Sequence, residues 1–87
     1  MISKKVIVKS VTGLHARPGT KLVELANNYS SDIFLVKADG TKINAKEVFE
    51  VLAANVVCGD ELDVEATGID ANDACNAIAN YIETCEE

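Results

Sequence analysis

The chain has one proline, one histidine and one arginine in 87 residues, no tryptophan, and only four phenylalanines and tyrosines together. Its three cysteines, Cys58, Cys75 and Cys85, are an odd, scattered set without a Cys-x-x-Cys pair. With a single histidine beside them, they make a poor donor set for zinc, and no metal is expected. Positive charge is scarce as well. Eight Lys and Arg stand against fourteen Asp and Glu, a net charge of −6, which weighs against nucleic acid as partner. No apolar run approaches a membrane span and no charged-then-apolar leader opens the chain, so membrane insertion is not expected and the cytoplasm is the expected location. What remains, 48% apolar and 25% charged residues, is the composition of a soluble globular protein. Its length fits one small domain over residues 1–87.

The rare residues are not spread evenly. His15, Arg17 and Pro18 fall within four positions, in Gly13-Leu14-His15-Ala16-Arg17-Pro18. Proline suits the first turn of a helix, where its missing N–H would be unsatisfied anyway and its φ is already helical. A histidine just before that turn meets free backbone N–H groups and the positive end of the helix dipole, a setting that suits phosphate. Arg17 adds a permanent charge with forked donors shaped for phosphate oxygens. The stretch therefore reads as a phosphoryl acceptor, His15, with an anion cradle formed by the Ala16, Arg17 and Pro18 helix start. Against this, Arg-Pro opens many ordinary helices and a lone histidine is commonly just a surface residue; a short motif needs context.

The context comes from hydrophobic patterning. Ile2 to Ser10 reads as a strand with Val6 and Val8 on one face. Pro18 to Asn28 reads as a helix, with Leu22, Leu25, Ala26 and Tyr29 near helical spacing. Asp32 to Lys37 is a short strand, Asp39-Gly40 a two-residue hairpin turn, and Thr41 to Asn44 the returning strand. Lys46 to Ala54 is a short helix bearing Val48, Phe49, Val51 and Leu52. Leu62, Val64 and Ala66 alternate with Glu61, Asp63, Glu65 and Thr67, a strand with one dry face. Asp70 is a natural N-cap with Asp73 three residues on, as in a capping box. Ala74, Cys75, Ile78, Ile82 and Cys85 form the apolar stripe of a last helix, which makes Cys75 and Cys85 small core residues. The order βαββαβα, with one wet sheet face, predicts an α/β (α+β) open-faced sandwich: a four-stranded antiparallel sheet covered on one face by three helices.

Element order, length and Gly-Leu-His-Ala-Arg-Pro at 13 to 18 resemble HPr, the histidine phosphocarrier of the bacterial phosphoenolpyruvate-dependent sugar phosphotransferase system. The resemblance covers essentially the whole chain, including the lysine-containing segment before the short helix and Gly-Asp-Glu-Leu at 59 to 62. It implies a cytoplasmic, monomeric carrier without cofactor, not an enzyme with a substrate of its own. A phosphoryl group would pass from enzyme I to Nδ1 of His15, giving a phosphohistidine, and then to an enzyme IIA in sugar transport. Arg17 matches the phosphate-stabilising arginine. Phosphoryl transfer demands mainly alignment and charge stabilisation, and a neutral ring nitrogen attacks without a separate base.

Three departures qualify the likeness. Glu47 stands where kinase-regulated relatives start the short helix with a serine, so that regulatory switch is in doubt; a carboxylate in a first turn also simply complements the dipole. Gly19 replaces the usual alanine, at an expected cost of up to about 1 kcal/mol. Glu24, Glu47 and Glu50 make the partner face less basic. That face is expected to use Val48, Val51 and Leu52, with Lys21, as a docking patch, and to keep Phe49 buried. The alternatives are a regulatory HPr paralogue acting by protein binding and a phosphorelay for nitrogen control.

Overall fold

The computed structural model describes residues 1–85. Its elements follow the order β1 (Ile2–Ile7), α1 (Ala16–Ala26), β2 (Asp32–Lys37), β3 (Lys42–Asn44), α2 (Val48–Ala53), β4 (Glu61–Thr67) and α3 (Ala71–Thr84). The four strands make one antiparallel sheet in the order β1-β4-β2-β3, the architecture expected from the patterning. The strand with the cleanest alternation, β4, lies inside it, paired on both sides. Val6 opposes Leu62, Leu35 opposes both Val64 and Ile43, and Ile33 opposes Ala66. The side-chain period of two puts all of these on one face, and all are buried.

The helices cover that face. Along α3, Ala71, Ala74, Cys75, Ile78, Ala79 and Ile82 are buried at helical spacing, and the small residues among them let the helix lie close to the strands. Cys75 is fully buried and its thiol reaches the Val64 carbonyl at 3.5 Å. Burial pushes that thiol's pKa up, as for an inert core cysteine. Cys85 is also buried, whereas Cys58 is exposed. Leu22, Ile33, Leu35, Leu62, Ile78 and Ile82 are essentially inaccessible, each contributing roughly 1.5–3 kcal/mol of hydrophobic burial. Among the described residues no helix is long and apolar enough to cross a membrane.

Besides shifts of one or two residues in the bounds of α1 and α2, read as Pro18 to Asn28 and Lys46 to Ala54, three local details differ from the patterning. The first strand stops at Ile7, although Val8 still exchanges bonds with Asp60 and Gly59 at 2.9 Å each. The hairpin loop has three residues, Ala38-Asp39-Gly40, closed by Lys37 N–H to Thr41 O and Gly40 N–H to Lys37 O; only Gly40 has positive φ. A type I turn followed by a left-handed glycine accommodates strand twist as well as a two-residue turn does. Asp70 occupies the N-cap of α3 but does not cap it. Its carboxylate accepts the Ser30 and Ser31 amides at 2.9 Å and the Ser31 hydroxyl. A tertiary partner has outcompeted the local helix N–H groups, and no capping box forms.

Candidate functional site

The motif is held from upstream by backbone geometry. Gly13 adopts φ +72°, and a Cβ there would fall 2.1 Å from the Val56 carbonyl oxygen. Only glycine allows this approach, which lets Leu14 N–H donate to Val56 O at 3.0 Å while the Leu14 side chain is buried. His15 then emerges in extended conformation at the N-cap of α1 and makes no capping bond with its side chain. Its half-buried ring stands at the helix start without being committed to the helix. Ala16, the first residue of α1, has φ +49°. This left-handed conformation costs a residue with a Cβ about 1–2 kcal/mol and marks a bend that the surroundings must hold.

Downstream, Arg17 is exposed and Pro18 and Gly19 are buried. Pro18 lies in the first turn, as its chemistry requires. The Thr20 hydroxyl donates to Arg17 O at 3.0 Å and the Tyr81 hydroxyl to Pro18 O at 3.2 Å. No acidic residue occupies the first turn of α1, so that turn itself sets no charge against the positive end of the helix dipole. Lys21 is exposed, four residues after Arg17 and therefore on the same side of the helix. The structure thus brings His15, Arg17 and the uncapped start of α1 together at the surface. A hollow of about 200 Å³ lined by Lys37, Ala38, Asp39, Asp60 and Glu61 contains no motif residue. Among the described residues, no three His, Cys, Asp or Glu side chains converge on a possible metal position.

The adjoining helix α2 corrects the expected docking patch. Val51 is 1% exposed and Phe49 84% exposed, the reverse of the assignment made from the sequence. At 100° per residue, Val51, Val48 and Leu52 lie within about 100° of one another and Phe49 on the far side, so a six-residue helix that buries Val51 must turn Phe49 outward. Val48 and Leu52 are half-buried. Leu52 packs toward α1: a Cβ on Gly19 would meet its Cδ2 at 2.8 Å and the Leu14 carbonyl oxygen at 2.6 Å. Gly19 is therefore not merely a weak helix former but the residue that allows this approach. Glu47 is exposed at the N-cap of α2 rather than within its first turn, and makes no capping bond. The sequence reading placed Phe49 in the core, although the angular argument on α2 turns it outward once Val51 is buried, and nothing local marked Tyr81.

Comparison with known proteins agrees with this geometry. A family model, PTS-HPr, described as "PTS HPr component phosphorylation site", matches residues 2–84. The HPr-like protein Crh of Bacillus subtilis is 40% identical over 83 residues, 95% of this chain and 96% of that protein. Phosphocarrier protein NPr of Proteus mirabilis is 33% identical over 81 residues, 93% of this chain and 90% of that protein. The crystal structure of a phosphocarrier protein HPr from Bacillus anthracis superposes with a TM-score of 0.90 at 34% identity, covering 94% of this chain and 96% of that one.

Proposed function

The chain belongs to the HPr family, and HPr is a phosphocarrier and not a catalyst; we propose that the chain takes a phosphoryl group on Nδ1 of His15 from enzyme I and passes it to an enzyme IIA in bacterial sugar uptake. In each transfer a bond from phosphorus to the new acceptor forms as the bond to the donor breaks. The carrier's task is to present an unprotonated nitrogen and to stabilise the phosphoryl oxygens. Arg17 and the backbone N–H groups at the start of α1 do the second. Residues 1–87 act as one cytoplasmic, monomeric domain without cofactor. Phe49, with Val48 and Lys21, forms the docking surface, in place of the patch centred on Val51.

The observation that carries this reading is the placement of His15: an extended N-cap residue, its ring uncommitted, immediately before Arg17 and a helix start with no acidic residue in its first turn. Incubation with enzyme I and phosphoenolpyruvate should add one acid-labile, base-stable phosphate, and His15→Ala should abolish it. A phosphate found on a hydroxyl residue overturns the assignment.

The 40% identity to Crh of Bacillus subtilis, described as a catabolite repression HPr, supports a second reading, a regulatory protein acting by binding. Arg17 beside His15 favours the carrier, because binding alone needs neither. Glu47 leaves no hydroxyl for a serine kinase at the start of α2. Which branch the carrier serves is decided by which enzyme IIA accepts the phosphoryl group.

A further inference from the structure

The motif is tethered to the last helix of the chain. Tyr81, near the end of α3, donates its hydroxyl to the carbonyl of Pro18, 63 residues away in sequence, at 3.2 Å. Its ring packs against the hydrophobic core, so the hydroxyl is delivered from a rigid base. One turn later the thiol of Cys85, itself buried, reaches the Tyr81 hydroxyl oxygen at 3.8 Å. A carbonyl has two lone pairs, so Pro18 O can take this bond beside the ordinary helical one.

The tether acts where the backbone is under strain. Ala16 has φ +49°, and a strained residue persists only when its neighbours hold it on both sides. Upstream, the Gly13–Val56 approach and the buried Leu14 hold the chain before His15. Downstream, Pro18 is gripped by the Tyr81 hydroxyl. Between these holds lie His15, Ala16 and Arg17. An anion cradle made of backbone N–H groups works only if it is in place before charge develops, and sub-ångström displacement weakens it.

We infer that Tyr81 is a positioning residue for phosphoryl transfer, fixing the first turn of α1 so that Arg17 and the helix-start N–H groups meet the phosphoryl group on His15. The inference rests on the carrier function of His15. It assigns Tyr81 no contact with the phosphoryl group itself.

Tyr81→Phe removes the hydroxyl and keeps the ring, so it separates the tether from packing. With enzyme I as donor, kcat for phosphorylation of the variant should fall threefold to tenfold while KM stays within twofold, because the docking surface on α2 is untouched. In two-dimensional NMR spectra of the unphosphorylated protein, the amides of residues 15–17 and 19 should shift, which a change confined to α3 would not produce. Unaltered kcat, or amide changes restricted to α3, overturns the inference. Should wild-type protein accept no phosphate on His15, the carrier reading fails with it; a 15–19 backbone unchanged in Tyr81→Phe refutes the tether whatever the kinetics.

Discussion

The two ends of the sheet are closed by different means. Where β4 ends and β2 begins, one carboxylate does the work: Asp70 accepts two backbone amides and a hydroxyl from Ser30 and Ser31. Where β1 ends and β4 begins, closure depends on backbone shape, with Gly13 set against Val56 and Ala16 in a left-handed conformation. The first end satisfies its polar groups internally. The second leaves a helix start and a histidine ring open to partners, with Phe49 exposed on the neighbouring helix. Exposed apolar side chains occur near both ends, Ile69 beside Asp70 and Phe49 on α2, so the left-handed Ala16 beside His15 is what sets the second end apart.

The largest expected effect breaks the functional end outright. Gly13→Ala would place a Cβ 2.1 Å from Val56 O at a φ of +72°, so backbone must move. Chemical denaturation should show a loss of more than about 3 kcal/mol, and phosphoryl uptake should fall with it. Gly40→Ala, at a turn where nothing lies within 4 Å, should cost less, about 1–2 kcal/mol for the left-handed conformation alone. Equal losses would show that the contact with Val56 is not what matters.

Arg17→Ala should separate chemistry from stability. Loss of its charge-assisted contacts is expected to cost about 2–3 kcal/mol in the transfer step. Thermal unfolding should change little, since the residue is exposed at a helix start. Unchanged rates in both directions would mean that backbone N–H groups hold the phosphoryl group alone.

Phe49→Ala and Ile69→Ala compare two exposed apolar side chains, 84% and 96% accessible, on different parts of the surface. Titration with enzyme I should give a loss of affinity of about tenfold, or 1.4 kcal/mol, for the first and none for the second. Equal effects would remove α2 from the docking model.

The smallest effect concerns the other end. The Ser31 hydroxyl, then the Ser30 amide, hold the Asp70 carboxyl below its ordinary value of 3.8. A carboxylate depressed in the folded state adds stability that is fully present above the unfolded pKa and is lost as pH falls through the folded one. The melting temperature of Asp70→Asn should therefore lie below wild type at pH 7, with the gap starting to close only as pH falls below about 4 and gone once pH is below the depressed folded value. Phosphoryl transfer at pH 7 should be unaffected.

The structure agrees best with the sequence reading where a signal repeats over a whole element. The alternation from Glu61 to Thr67 specified a half-buried strand because register slips would expose Leu62, Val64 and Ala66 together. The stripe from Ala71 to Ile82 likewise had many chances to agree with itself. Single-residue signals did less well. Asp70 looked like a cap because caps are local, yet two serines forty residues earlier in the chain provided better partners. Phe49 looked buried because large apolar residues usually are, but a six-residue helix has one inner face and Val51 holds it.

From the sequence alone came the element order, the open-faced sheet, the expectation of a phosphoryl acceptor at His15, and Arg17 beside it. These follow from periodicity and from the chemistry of rare residues placed side by side, both of which are local along the chain. Only the tertiary structure decided that Gly13 must be glycine, that Gly19 admits Leu52, that Phe49 faces outward, and that Tyr81 reaches Pro18. Each of these depends on which distant atom occupies the space next to a residue, and that is set by packing, not by spacing in the chain.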